Sequence, residues 1–327
     1  MDFQLSDDQR ALRSGMRDLL GAVFDRDRMR AAVERRGGVD RGLWRELGGA
    51  GFFALRLPEE AGGVGLGLPE AVLLFEEAGR ALLPGPLVAT HLAAGVVKGA
   101  AEGEAVVTVA EGGGRPVADL VGADAVLVAG GAGVLAGEGL EAFVAGAAPV
   151  RSMDPLTPLH RVEGRSAGTA APEAYPGALR REGALLTAAE QLGSAARTTE
   201  MAVQHAGARE QFGAPIGSFQ AVKHLCADML ARTEPARGAL YAAAVTGDPV
   251  EIAAAKLLAD EAAVRNARDC LQIHGGMGFT WEADVHLHLK RAWLRAARWL
   301  TAAEAEEILA ADLGPVRPLY GGSAAHG

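Results

Sequence analysis

Arg209-Glu210-Gln211-Phe212-Gly213 and, about sixty residues later, Gln272-Ile273-His274-Gly275-Gly276-Met277-Gly278-Phe279-Thr280 each follow a long stretch of helical periodicity. Apolar and small residues recur at the 3.6-residue spacing from Ala184 to Ala208, from Phe219 to Thr246 and from Pro249 to about Ile273. Gly207, Gly213, Gly217 and Gly247 punctuate the ends, and Asp248 with Pro249 caps and opens the third stretch. Helices of about 25 residues are about 37 Å long at 1.5 Å per residue. Their Ala/Leu faces are hidden only against one another and against a fourth segment, which Val285 to Ala310 supplies. The pattern predicts a four-helix bundle, kinked at Pro235 inside its second helix. Taken singly, neither motif is diagnostic, because an arginine at a helix C-terminus satisfies carbonyls and a glycine pair there serves as a cap.

Upstream of the bundle the pattern changes twice. Ser6 and Gln9 have the spacing of a capping box for a helix starting at about residue 7, and Leu12, Met16, Leu19 and Leu20 continue at helical spacing. Trp44 and Leu47 precede Gly51-Phe52-Phe53, the chain breaks at Pro58 to Gly65, Pro69 opens a helix running to about Leu83, and Leu87 to Val97 reads as another. The short β-prone runs Ala105–Val109, Ala125–Val128 and Gly133–Leu135 then alternate with glycine-rich turns. No dinucleotide fingerprint joins a strand to a helix there, and no Gly-Lys-Ser/Thr phosphate loop occurs in the chain. The expected organisation is a helical N-terminal domain over 1–100, a shortened middle β domain over 101–176, a C-terminal four-helix domain over 177–316 and a tail over 317–327.

Composition narrows the function classes. The 327 residues are 49% hydrophobic and 22% charged, with a formal net charge of −9 and only 32 Lys+Arg, which disfavours a nucleic-acid binder. Cys226 and Cys270 are too few for a disulfide framework or a four-thiolate zinc site and read as buried free thiols. The acidic N-terminus MDFQLSDDQ is unlike a signal peptide and no apolar run has the length of a membrane span, so a cytoplasmic protein is expected. Asp284, His286 and His288 invite a metal reading, but histidines two apart on a helix face different sides, so no metal is expected. Lys290, Arg291, Arg295 and Arg298 read as a solvated basic face, and Glu304, Glu306 and Glu307 as the exposed side of the last helix.

In this order and between such helices, the two motifs resemble the C-terminal domain of the acyl-CoA dehydrogenase family, and Trp44, Leu47, Gly51-Phe52 and Pro58-Glu59 through Gly65 resemble its first domain. The resemblance implies a mainly α fold: helical N-terminal domain, middle β-barrel, here reduced, and C-terminal four-helix bundle through which subunits assemble. It also implies FAD shared at a subunit interface and an acyl-CoA thioester from lipid or steroid breakdown. Arg209 would offer a permanently ionised donor fork to the FAD pyrophosphate, Gln211 and Phe212 would flank the nucleotide, Gln272 would supply an amide, and Gly275 and Gly276 would admit the cofactor to the main chain.

The departures decide the expected role. Family members remove an α proton with a glutamate while the β hydrogen passes to the flavin as hydride. The usual glutamate position falls on Trp299 in Arg298-Trp299-Leu300-Thr301, and no catalytic residue is assigned. Other members place the base at the start of the first long bundle helix, where an ungapped match falls on Gly183-Ala184, and Glu182 is the candidate one residue away. The barrel's Thr-Glu-Pro and Gly-Ser-Asp turns are missing from residues 101–176, and Thr233-Glu234-Pro235 lies inside a helix. The chain therefore reads as a shortened, actinobacterial-type subunit that pairs with a full-length homologue as α2β2 and is inactive alone. The alternatives are a self-sufficient homo-oligomer using Glu182 and a non-catalytic scaffold without flavin.

Overall fold

In the computed structural model, residues 4–129, 133–162 and 175–314 are described. Three α-helices open the chain: α1 (Asp7–Val23), α2 (Arg26–Glu34) and α3 (Arg41–Gly49). The Ser6 hydroxyl accepts from the Gln9 N–H at 3.1 Å while the Gln9 side chain accepts from Ser6 N–H, the expected capping box. Helix α4 (Leu68–Arg80) carries Pro69 in its first turn and stops three residues short of Leu83. Helix α5 (Leu87–Ala93) is shorter than the expected run to Val97.

The middle region holds β1 (Val107–Ala110), β2 (Val117–Ala118), β3 (Ala125–Val128), β4 (Gly133–Leu135), α6 (Glu138–Ala145), β5 (Ala147–Val150) and β6 (Leu159–Val162). The strands pair as two three-stranded sheets, in the orders β1-β3-β4 and β2-β6-β5. Among the described residues they do not close on one another, so open sheets stand where a reduced barrel was expected. Only β1, β3 and β4 announce themselves as apolar runs. Strand β2 is two residues long, and β5 and β6 are half-exposed.

The bundle consists of α7 (Tyr175–Ala208), α8 (Gln220–Thr246) and α9 (Pro249–His274), followed by α10 (Val285–Ala296) and α11 (Ala302–Asp312). Helix α7 starts nine residues before Ala184 and runs through Gly207, which is therefore not a terminator. Helix α8 is continuous through Pro235. The expected fourth helix over 285–310 is two helices. Leu300 N–H donates to Arg298 O at 2.7 Å around Trp299, whose φ is +62°, a γ-turn that bends the chain between α10 and α11.

Two glycines hold the N-terminal region against the bundle. A Cβ on Gly79 in α4 would overlap the backbone of Glu190 in α7, and one on Gly193 in α7 would overlap the carbonyl of Glu76 in α4. The helices meet main chain to main chain, and their surroundings are largely Ala and Leu, as a chain with 5% aromatic residues requires. The expected tail at 317–327 lies outside the described residues.

Candidate functional site

Both motifs arrive at the same end of the bundle. The first is a hairpin of β7 (Glu210–Gln211) and β8 (Ala214–Pro215), with Glu210 paired to Pro215 and Gln211 to Ala214. Phe212 and Gly213 form the turn with φ of +53° and +77°, the two positive values of a type I′ turn. Glycine accepts this conformation and phenylalanine does so at a cost, yet the Phe212 ring is 95% exposed and gains no burial within its own chain. It meets the Phe219 ring edge-on at 6.1 Å.

The second motif is the end of α9 and the 3₁₀ turn Gly275–Phe279. His274 stacks on His205 of α7 with ring centroids 4.0 Å apart, and its Nδ1 lies 2.8 Å from Cys270 O. A small apolar cluster containing Ala202, Ala206, Met229, Ala267, Cys270 and Leu271 lies beneath. Cys270 is buried, and Cys226 is only half-buried, short of the expected two buried thiols. Gly275 has φ +59° and ψ −142°, a conformation essentially restricted to glycine. A Cβ on Gly276 would meet nothing within 4 Å.

The side chains at this end face outward. Arg209, Gln211 and Gln272 are exposed, and among the described residues no hydrogen bond or ion pair engages the Arg209 guanidinium. Met277, Phe279 and Trp281 are 55%, 74% and 50% exposed. Such clustering of large apolar groups marks a contact surface. His205, Phe219, Phe279 and Trp281 were not singled out as site residues; their aromatic character beside the two motifs is the signal that marks them. Arg26 and Arg30 were not singled out either; one turn apart on α2, they hold the loop after the glycines through Asp284, Glu282 O and Trp281 O. His286 stacks on Trp281 while His288 contacts Ser194 Oγ at 2.7 Å, so the two histidines serve different surroundings.

A second location surrounds Trp299, where the family resemblance led the base to be expected. Trp299 is buried, its backbone N–H donates to Glu111 Oε2 at 2.6 Å, and its backbone carbonyl accepts from Arg180 Nε at 2.6 Å. The γ-turn drives the indole against α7, where a Cβ on Gly183 would overlap the ring. Glu182 lies two turns into α7 rather than at its start, and it is half-buried and paired: Arg56 Nη1 donates to its Oε2 at 2.7 Å.

The adjoining interior is ionic. Arg291 pairs with Asp154, Arg295 Nη2 with Glu190 Oε1 at 2.9 Å, Lys256 with Asp260 and Arg298 with Glu111. Arg291 and Arg295 are buried and Lys256 is fully so, which overturns the solvated basic face. Glu304 is likewise engaged, accepting from Arg180 at 2.5 Å and Arg115 at 3.0 Å rather than standing free on the last helix. Burial pushes the Glu111 carboxyl up, but Arg298, the Trp299 N–H and Arg115 outweigh it and hold the group below its usual range. Burial lowers the pKa of Arg295 to about 10 despite Glu190. The space left between Leu87, Val109, Asp119, Glu190, Arg291 and Trp299 is a cavity of about 70 Å³.

These features belong to a defined class of protein. The N-terminal domain of acyl-CoA dehydrogenases matches residues 6–102 and the C-terminal domain matches residues 181–309. The chain is a member of the acyl-CoA dehydrogenase family. It is 39% identical over 274 residues to acyl-CoA dehydrogenase IpdE2 of Mycobacterium tuberculosis, covering 81% of this chain and 84% of that one. The ChsE4-ChsE5 complex from Mycobacterium tuberculosis contains a chain that superposes with a TM-score of 0.81 at 24% identity over 97% of this chain and 100% of that one. Glutaryl-coenzyme A dehydrogenase in its glutaryl-CoA complex superposes at 0.83 with 21% identity over 97% and 98% of the two chains. These last two establish the fold. No helix among the described residues is long and apolar enough to cross a membrane.

Proposed function

We propose that this chain is the non-catalytic subunit of an FAD-dependent acyl-CoA dehydrogenase, assembled with a full-length homologue as an α2β2 tetramer. The observation that carries this reading is the contrast between the two locations. The motif end of the bundle presents exposed polar and aromatic groups around an unpaired Arg209, whereas buried Trp299 and ion pairs occupy the place where the resemblance led the base to be expected. The heteromeric ChsE4-ChsE5 relative in fold supports a two-chain assembly.

The residues at the motif end fit a dinucleotide cofactor. Arg209 has a free donor fork, Phe212 is held out by a turn it does not favour, and the glycine pair leaves the main chain open. FAD, when bound, supplies the hydride acceptor for the β hydrogen of the acyl group. This chain's part is binding and orientation. Arg209 would pair with a pyrophosphate oxygen, Phe212 and Gln211 would flank the nucleotide, and Gln272 would offer its amide beside Gly275 and Gly276. The flavin ring, the thioester and the base belong to the partner. Trp299 offers an indole N–H, which donates and cannot take a proton. Glu182 is committed to Arg56.

The visible spectrum tests the division of labour. The chain expressed alone is expected to be colourless and inactive with any acyl-CoA and electron acceptor. Co-expressed with its partner, it should yield a yellow, active complex that loses activity when the partner's glutamate is replaced. Turnover by the isolated chain that disappears in Glu182→Gln would establish the self-sufficient reading instead.

A further inference from the structure

Local helix chemistry is set aside at the start of α10. Asp284 occupies its N-cap position, where an aspartate ordinarily accepts from the first N–H groups of the helix. Here it adopts the αR conformation and makes no capping bond. Its carboxylate is given to α2 instead: Arg26 Nε donates to Oδ2 at 2.6 Å and Arg30 Nη1 to Oδ1 at 3.4 Å. Two consecutive carbonyls of the same loop go to the same pair, Glu282 O accepting from Arg26 at 3.0 Å and Trp281 O from Arg30 at 2.5 Å. Arg26 and Arg30 stand four apart and so share one face of α2. The Arg30 and Asp284 side chains are only 16% and 18% exposed, which shields their pairing from solvent and salt. Trp281 is gripped from α10 as well, with the His286 ring stacked on it at 5.2 Å and Lys290 Nζ 5.0 Å from its centroid.

This loop follows directly on the 3₁₀ turn Gly275–Phe279, three of whose five residues are glycine. Such a segment has a large backbone freedom to lose when it is ordered. Its α9 end is fixed by the stack of His274 on His205. At the other end, Thr280 N–H and Ala283 N–H donate only to Met277 O and Thr280 O, within the segment itself. Arg26 and Arg30 tie that end to a separate part of the fold.

We propose that the clasp of Asp284 by Arg26 and Arg30 is a positioning device for the glycine turn, and that through it α2 sets how tightly the assembled complex retains FAD. The inference rests on the flavin reading above. A turn held in place before the cofactor arrives loses less freedom on binding, so affinity rises. Arg30 is the principal positioning residue, since it engages the carboxylate, a carbonyl and, at 5.8 Å, the Trp281 ring.

Hydrogen exchange of the purified chain, followed by mass spectrometry, and FAD affinity of the co-expressed complex, followed by flavin fluorescence, test it together. Asp284→Ser removes the carboxylate but keeps a hydroxyl able to cap α10, so it releases the clasp without weakening the helix start. In Asp284→Ser and Arg30→Met, amides of residues 275–284 should exchange about tenfold faster or more, the factor for losing a hydrogen bond to a charged group, while α9 exchanges as in the parent. The FAD dissociation constant of both variant complexes should rise by a similar factor. Arg30→Lys should recover part of each effect, because the ammonium keeps its charge beside Asp284 but lacks the fork. Unchanged exchange at 275–284, faster exchange across the whole chain, or faster exchange at 275–284 with FAD affinity unchanged would overturn the proposal. A parent complex that takes up no FAD would overturn the flavin reading itself, and this inference with it.

Discussion

Phe212 carries a local conflict between backbone and side chain. Its φ of +53° suits Gly or Asn, and its ring has no cover within the chain. Phe212→Asn should therefore leave thermal stability equal or higher by up to about 1 kcal/mol, the scale of a relieved unfavourable backbone conformation. The same change should lower flavin retention in the assembled complex. Arg209→Ala should lower that retention by about 1.5–3 kcal/mol, the range for a hydrogen bond to a charged group, with little change in helicity. Flavin content by absorbance and folding by circular dichroism separate the two effects. A loss of helicity with unchanged flavin would make Arg209 a helix cap.

Between α4 and α7, the close approach depends on what is missing. Gly193 faces Glu76 O and Gly79 faces the Glu190 backbone, and neither contact has a flexible tip that can yield. Gly193→Ala should cost on the order of 1–3 kcal/mol through overpacking, read as a lower denaturation midpoint at unchanged slope. Gly15, with open space around its would-be Cβ on α1, is the control, since its change to Ala should not destabilise. The γ-turn at Trp299 works at the same scale. It splits the last bundle segment and turns an indole toward α7, so Trp299→Glu should yield a carboxylate beside Glu111 and no acyl-CoA turnover.

The whole molecule carries a pH signature through the cavity between its middle region and bundle. Asp119 is buried there with φ +53°, and its Oδ1 has no hydrogen-bond partner. Burial raises its carboxyl from 3.8 to about 7, against the lowering influence of Arg291 and Arg298. Between about pH 4 and 7 the unfolded chain has released this proton and the folded chain has kept it, so folding takes up a proton and stability falls as pH rises. The contribution is complete below about pH 4, is lost through about pH 7, and amounts to on the order of 4 kcal/mol. Asp119→Asn should remove that slope, making the variant more stable relative to the parent at pH 8 than at pH 4 in paired urea titrations. Parallel slopes would show that Asp119 ionises normally in the fold.

The sequence by itself determined the local elements and the family. Helix starts at Ser6, Pro69 and Asp248-Pro249, the αL cap at Gly247, the β-prone runs and the two spaced motifs are properties of neighbouring residues, set by capping and by i, i+4 periodicity. Tertiary structure alone decided the fate of the charges. Arg291, Arg295 and Glu304 follow a surface pattern along their helices, but Asp154, Glu190 and Arg115 stand 137, 105 and 189 residues away in sequence. Periodicity reports which side of a helix a residue occupies, and it cannot report whether a counter-charge from elsewhere waits there. For the same reason the His205–His274 stack and the Arg17–Glu77 ion pair are invisible along the chain. Each exists only where separate helices bring groups together, and the free energy of burying a charge depends on that meeting rather than on the residue that carries it.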